Sequence, residues 1–219
     1  MTDNFPLFLQ QILLPALKDT LYMVVTSTIL ASIIGFILAI ILFVTDKDGL
    51  RPNKYIYKIL DIIINVLRSF PFIILIVAII PFTRFIVGKS IGETAAIVPL
   101  TIAAAPFIAR IIESALKEVD KGLIEAAKSF GASNMQIIFK VVVKEAMPSI
   151  VSGITLSIIS IIGYSAMAGA VGANGLGKVA ITYGYTRFDN KVMFYTVVLL
   201  IIVVQLIQTV GNVLYKKLK

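Results

Sequence analysis

The sequence predicts an all-α, polytopic membrane protein with five transmembrane helices, and two observations carry that expectation. Of the 219 residues, 58% are hydrophobic and the mean hydropathy is +0.97, well beyond the roughly 45–50% apolar content of soluble domains. The apolar residues are also gathered into runs of the length a crossing needs, about 20 residues at ~1.5 Å rise for ~30 Å of hydrocarbon. Little chain remains for a soluble domain, so residues 1–219 are read as a single membrane domain. Cysteine and histidine are both absent, which excludes thiolate metal sites, imidazole proton relays and nucleophile–histidine pairs. No catalytic residue, bound metal or cofactor is expected on this chain.

In order, residues 1–19 mix Phe5, Phe8, Leu9, Ile12 and Leu13 with two prolines and an acidic start, and are expected to form an interfacial segment. The first basic residue is Lys18 and no small-residue cleavage site follows a short apolar core, so span one is expected to stay in the mature protein. Span one is expected over 21–44. The loop after it holds Lys47, Arg51, Lys54 and Lys58, with Gly49 and Pro52 as turn signals. Span two is expected over 59–80, ending at Pro81. Span three, 91–112, carries Ala103, Ala104 and Ala105 before Pro106, a run that permits close helix packing and a proline that kinks. Span four, 149–171, is rich in serine and glycine, as suits a helix facing protein or a pathway rather than lipid alone. A glycine-rich loop leads to span five, 192–214.

Charge sets the expected orientation. Thirteen basic residues fall in the first loop, in the interval between spans three and four, and in the C-terminal tail, against six in the alternate loops. By the positive-inside rule the N-terminus lies outside and the C-terminus inside. The same placement explains the formal charge of +8 without nucleic acid, for which no role is expected; the bilayer is the expected lipid partner.

The interval of about 113–148 between spans three and four is the longest polar interruption. Within it, 121–130 repeats Leu123, Ala127 and Phe130 at helical spacing, and Gly131 stops that helix. Ser133 and Gln136 have capping-box spacing, so a second short helix is expected from Asn134.

Three sets of polar residues invite a chemical reading. Asp61, Asn65 and Arg68 share one helical face within span two, with Arg68 near mid-bilayer, where an unpaired charge costs at least ~2.5 kcal/mol. They are candidates for a pathway or gate; a structural ion pair or a snorkelling arginine explains them equally well. The stretch Gly172 to Val179 nearly spells the phosphate loop, but Val179 stands where a magnesium-binding hydroxyl is needed and no strand precedes it. A glycine-rich turn is the stronger reading. Glu93, Glu113, Glu118 and Asp189 lie near span ends, where carboxylates are normally solvated, and carry no assigned chemistry.

Glu125, Ala126, Ala127, Gly131 and Pro148 stand where the EAA loop of ABC importer permeases has its motif residues, and the interval resembles that loop. Lys144 stands where relatives carry a proline, which implies a less sharply bent entry to span four. The stretches RSFPFIILIVAIIPFTR, TAAIVPLTIAAAPFIAR and GAVGANGLGKVAITYGYTRFD are similar to the methionine-import permeases within that family. The resemblance implies a permease without a motor of its own in the bacterial cytoplasmic membrane. It implies that Glu125, Ala126, Ala127, Gly131 and Ala132 form a cytoplasmic coupling element. The implied partners are a second copy of the chain, two ATP-binding subunits holding ATP and magnesium, and an external substrate-binding lipoprotein. A permease for another amino acid or an osmolyte stays open, as does a self-sufficient transporter or channel. Against the latter, spans one, three and five have no central carboxylate of the kind that coupling-ion pathways use.

Overall fold

In the computed structural model, which describes residues 5–219, the described residues form helices and turns with no strand. Among the described residues four helices are long and apolar enough to cross a membrane, or five if a sharply bent pair is counted as one span. The first, α1 (Pro6–Thr45), is 40 residues long. The interfacial segment expected over residues 1–19 is therefore corrected from Pro6 onward; its first four residues lie outside the described region. Its prolines do not break the helix. Pro6 occupies the first turn, and Pro15, which has no N–H to donate, follows a π-helical turn at Leu9–Leu13 that closes with the Leu14 N–H on the Leu9 carbonyl.

Span two is also corrected. Helix α2 (Lys54–Ser69) is capped by Asn53, whose side chain accepts from the Tyr55 and Ile56 N–H groups at 3.2 and 3.1 Å. It stops because Pro71 disfavours helical geometry at Phe70, which is extended with ψ of 124°. The chain then turns by 102° into α3 (Phe72–Ala78). Pro81, expected to end the span, instead opens α4 (Ile80–Val87), where a missing N–H is harmless.

Helix α5 (Glu93–Lys117) runs through Pro99 and Pro106 and packs chiefly on α1. Leu100, Ala104 and Ile108 of α5 meet Met23, Ala31 and Ala39 of α1 in the main core, all six at most 2% exposed. The alanine run brings the backbones close: a Cβ on Gly35 of α1 would lie 2.9 Å from the Ala105 carbonyl oxygen. After α6 (Lys121–Ser129) comes α7 (Asn134–Ala170), the element expected as a short helix followed by a separate span. Its first turns pack Ile137, Ile138 and Val142 into the same core, and a π-helical stretch at Ile137–Val142 carries the chain into the spanning part. The helix passes Lys144 and Pro148 without a break. Short α8 (Leu176–Val179) and α9 (Asn190–Leu218), capped by Asp189, complete the chain.

Candidate coupling surface and buried ion network

Helix α6 begins at Asp120, whose carboxylate accepts the Gly122 N–H at 2.6 Å. Its inner face is Ile124 and Ala127, which with Ala132 pack against the main core. Of the expected apolar repeat only Ala127 turns inward; Leu123 is 43% and Phe130 92% exposed. Leu123, Ala126 and Phe130 recur at i, i+3 and i+7, so they form a second, outward stripe. Glu125 is exposed beside it, and Met135 lies exposed on α7 just beyond the elbow.

The elbow is set by backbone chemistry. Gly131 has φ of +77°, and beyond it the Ala132 N–H bonds back to the Ala127 carbonyl at 3.1 Å, while the Gly131 N–H reaches Lys128 at 2.9 Å. Those bonds satisfy carbonyls that the end of α6 leaves open. The capping box follows at once: the Gln136 side chain accepts the Ser133 N–H at 2.8 Å, and the Gln136 N–H reaches the Ser133 hydroxyl at 3.4 Å. A tight elbow therefore presents the outward stripe at a fixed angle.

Behind the elbow lies a network that the sequence did not reveal. Glu113, expected to be solvated, is 2% exposed. It accepts from Arg110 at 2.8 Å, from Lys117 at 2.7 Å and from the Tyr57 hydroxyl at 3.2 Å. Arg110 Nη2 also meets Asp61 at 2.5 Å and Asn65 at 3.1 Å; Lys117 meets Asp46 at 2.7 Å. The network thus ties α2 and the end of α1 to the last two turns of α5, directly before α6. Burial pushes the Asp46 carboxyl up. The Lys117 hydrogen bond, the Asp48 N–H, and the charges of Lys117 and Lys47 outweigh that and hold it below its ordinary value. The signal that could have exposed this cluster is Arg110, Glu113 and Lys117 at i, i+3 and i+7, matched by the polar stripe Tyr57, Asp61 and Asn65 at i, i+4 and i+8 on α2.

Asp61 and Asn65 are therefore partners of Arg110. Arg68 stands apart. It is exposed and close to the bend rather than inside an unbroken span, and it lines an open cavity of about 440 Å³ with Ser149, Ser152, Gly153 and Tyr215. The three candidates do not form one cluster.

At the opposite end of α5, the glycine-rich loop is a packing device. Gly172 and Gly175 have φ of +102° and +106°. The Gly172 carbonyl accepts the Gly92 N–H at 3.0 Å, and the Leu176 N–H donates to the Thr20 hydroxyl at 2.9 Å. Asn174 bonds Glu93 at 2.7 Å, and Lys178 donates to Asn174 at 3.0 Å. Glu93, read as solvated, has a neutral partner here. The amide and the lysine that a phosphate would need are already engaged.

Residues 31–219 match the family model for the binding-protein-dependent transport system inner membrane component. The chain belongs to this family of transport permeases. The match takes in α6, the elbow and every member of the ion network. A probable D-methionine transport system permease protein MetI of Vibrio cholerae is 50% identical over 206 residues, covering 94% of this chain and 92% of that one. The methionine import system permease protein MetP of Bacillus subtilis is 46% identical over 80% of this chain and 78% of its own. Among solved structures, an inward-facing form of the MetNI methionine ABC transporter superposes with a TM-score of 0.94 at 46% identity, covering 96% of this permease and 97% of that chain. An amino acid ABC transporter at 19% identity shares the fold, with a TM-score of 0.79. Among the described residues of the permease, no group of carboxylates is placed to hold a metal ion.

Proposed function

We propose that this chain is the membrane-spanning subunit of a methionine importer in the bacterial inner membrane, driven by ATP hydrolysis on a separate subunit. The likeness that supports this reading best is the 46% identity and TM-score of 0.94 to a methionine ABC transporter over nearly the whole of both chains. Two copies line the pathway, each offering Leu123, Ala126 and Phe130 to an ATP-binding subunit, with Glu125 on the rim and Ala127, Gly131 and Ala132 holding the stripe in place. ATP and magnesium belong to those subunits, and an external lipoprotein delivers substrate. The permease itself alternates between inward and outward access and performs no covalent chemistry. Reconstitution with the ATP-binding subunits and lipoprotein tests this directly: ATP-dependent methionine uptake is expected, and uptake without the motor, or of another cargo alone, overturns it.

Topology gives a separate test. The basic residues crowd the ends of the spans next to α6, so reporters at Asn53 and Lys219 should lie in the cytoplasm and one at Asn174 outside. Cytoplasmic labelling at Asn174 contradicts the five-span arrangement.

Arg68 is the pathway candidate, because no ion pair among the described residues holds it and hydroxyls surround the cavity it lines. Arg68→Leu makes the chain more apolar and should insert normally, yet lower methionine uptake by at least roughly tenfold, the value of one charge-assisted contact. Unchanged uptake at equal expression removes Arg68 from the pathway.

A further inference from the structure

Between α6 and the loop that follows α1 lies a cleft of about 360 Å³. Its floor is apolar, built from Phe43 and Leu50 on one side and Leu116, Val119 and Ile124 on the other. Its rim carries Lys47, Lys117, Lys121 and Lys128 with Asp46 and Asp48. The two aspartates are matched: Asp46 holds Lys117 at 2.7 Å, and Asp48 faces Lys121 at 3.7 Å. Lys47 and Lys128 make no salt bridge among the described residues, Lys47 acting on neighbouring Asp46 only through its charge, and one stands in the loop and the other on α6.

The cleft's height in the molecule is fixed by its floor. Phe43 lies two residues before the end of α1 and Leu116 one before the end of α5, so the cleft opens where spanning helices give way to polar loops. Lipid phosphates lie at that level, and lysines there attract anionic headgroups. An apolar floor under two cations that make no salt bridge suits a phosphate ester that carries hydrocarbon better than it suits a bare ion. We infer that this cleft binds the headgroup of an anionic phospholipid, with phosphate between Lys47 and Lys128 and the glycerol end against Phe43 and Leu50. Because Ile124 and Lys128 belong to α6, an occupied cleft braces the inner face of that helix against the end of α1, opposite the stripe offered to the motor.

The test uses the intact transporter, in lipid nanodiscs containing phosphatidylglycerol and phosphatidylcholine, extracted and weighed by native mass spectrometry. Wild type should retain phosphatidylglycerol selectively. The double variant Lys47→Gln, Lys128→Gln should retain it roughly thirtyfold less, as expected for two lysines near an anionic surface. Lys216→Gln with Lys217→Gln removes the same charge from the C-terminal tail and should behave as wild type. Equal retention by wild type and the Lys47/Lys128 variant overturns the site, as does equal loss in the tail variant, which makes the effect one of bulk charge. Inorganic phosphate is the third arm: if millimolar phosphate displaces the retained lipid or binds the lipid-free transporter equally well, the cleft is a soluble-anion site and the lipid assignment fails.

Discussion

Gly131→Val should separate ATP hydrolysis from substrate transport while leaving the spans inserted and the permease chains paired. Nothing lies within 4 Å of the position a Cβ would take at Gly131, so the cost of a side chain there is conformational rather than steric. At φ of +77° an L-residue bears roughly 1–2 kcal/mol, and a β-branched one more. Valine relieves that strain by leaving the left-handed region. The Ala132–Ala127 bond is then lost, and the start of α7 with Met135 swings away from the stripe of Leu123, Ala126 and Phe130. A displacement worth ~1.4 kcal/mol corresponds to a tenfold population change, so substrate-stimulated ATPase activity in reconstituted complexes should fall about tenfold. Gly131→Asn, which tolerates the left-handed region, should retain most of it. Glu125→Lys should act in the same direction as valine, by reversing a charge beside the stripe. Wild-type coupling in Gly131→Val, at equal assembly, would move the motor contact to another part of the chain.

That elbow could be read from sequence because every interaction that makes it is local. Gly131, Ser133 and Gln136 lie within six residues of one another, and the capping box and left-handed glycine follow from spacing alone. The faces of α6 are a different matter. Leu123, Ala127 and Phe130 satisfy a helical repeat, but so do Ile124 and Ala127, and only the packing of Ile137, Ile138 and Val142 decides which set turns inward. Hydropathy also passes smoothly over Phe70 and Pro71, so the run 59–80 looks like one span, although Pro71 redirects it by 102°. Pro6 and Pro15 mislead in the opposite sense, since a first-turn position and a π-helical turn accommodate them.

Glu113 escaped for a related reason, and it carries the second large prediction. A carboxylate one turn from the end of a span is ordinarily wet. This one is covered because Tyr57, 56 residues away in sequence, closes over it and two cations neutralise it. Glu113→Ala leaves Arg110 and Lys117 without their shared counter-charge and leaves a void where the carboxylate sat. Breaking a buried pair costs about 3–5 kcal/mol. Arg110 keeps Asp61 and Lys117 keeps Asp46, both partly exposed to solvent screening, so the lower end, about 3 kcal/mol, is expected. For a chain of this size that corresponds to roughly 6–12 °C in the thermal midpoint of the detergent-solubilised permease. Glu113→Gln keeps the shape and an acceptor for Tyr57 but not the charge, and should fall between the two. Asp48→Asn, which removes only the exposed 3.7 Å pair with Lys121, should cost less than about 0.5 kcal/mol. The ordering is the decisive feature. Glu113 and Asp48 are both carboxylates paired with a lysine close to the same helix ends, and burial, with the Arg110 and Tyr57 contacts it brings, sets Glu113 apart. A midpoint for Glu113→Ala within 2 °C of wild type would show that the network is solvated in the assembled transporter, with α1, α2 and α5 held by their apolar faces alone.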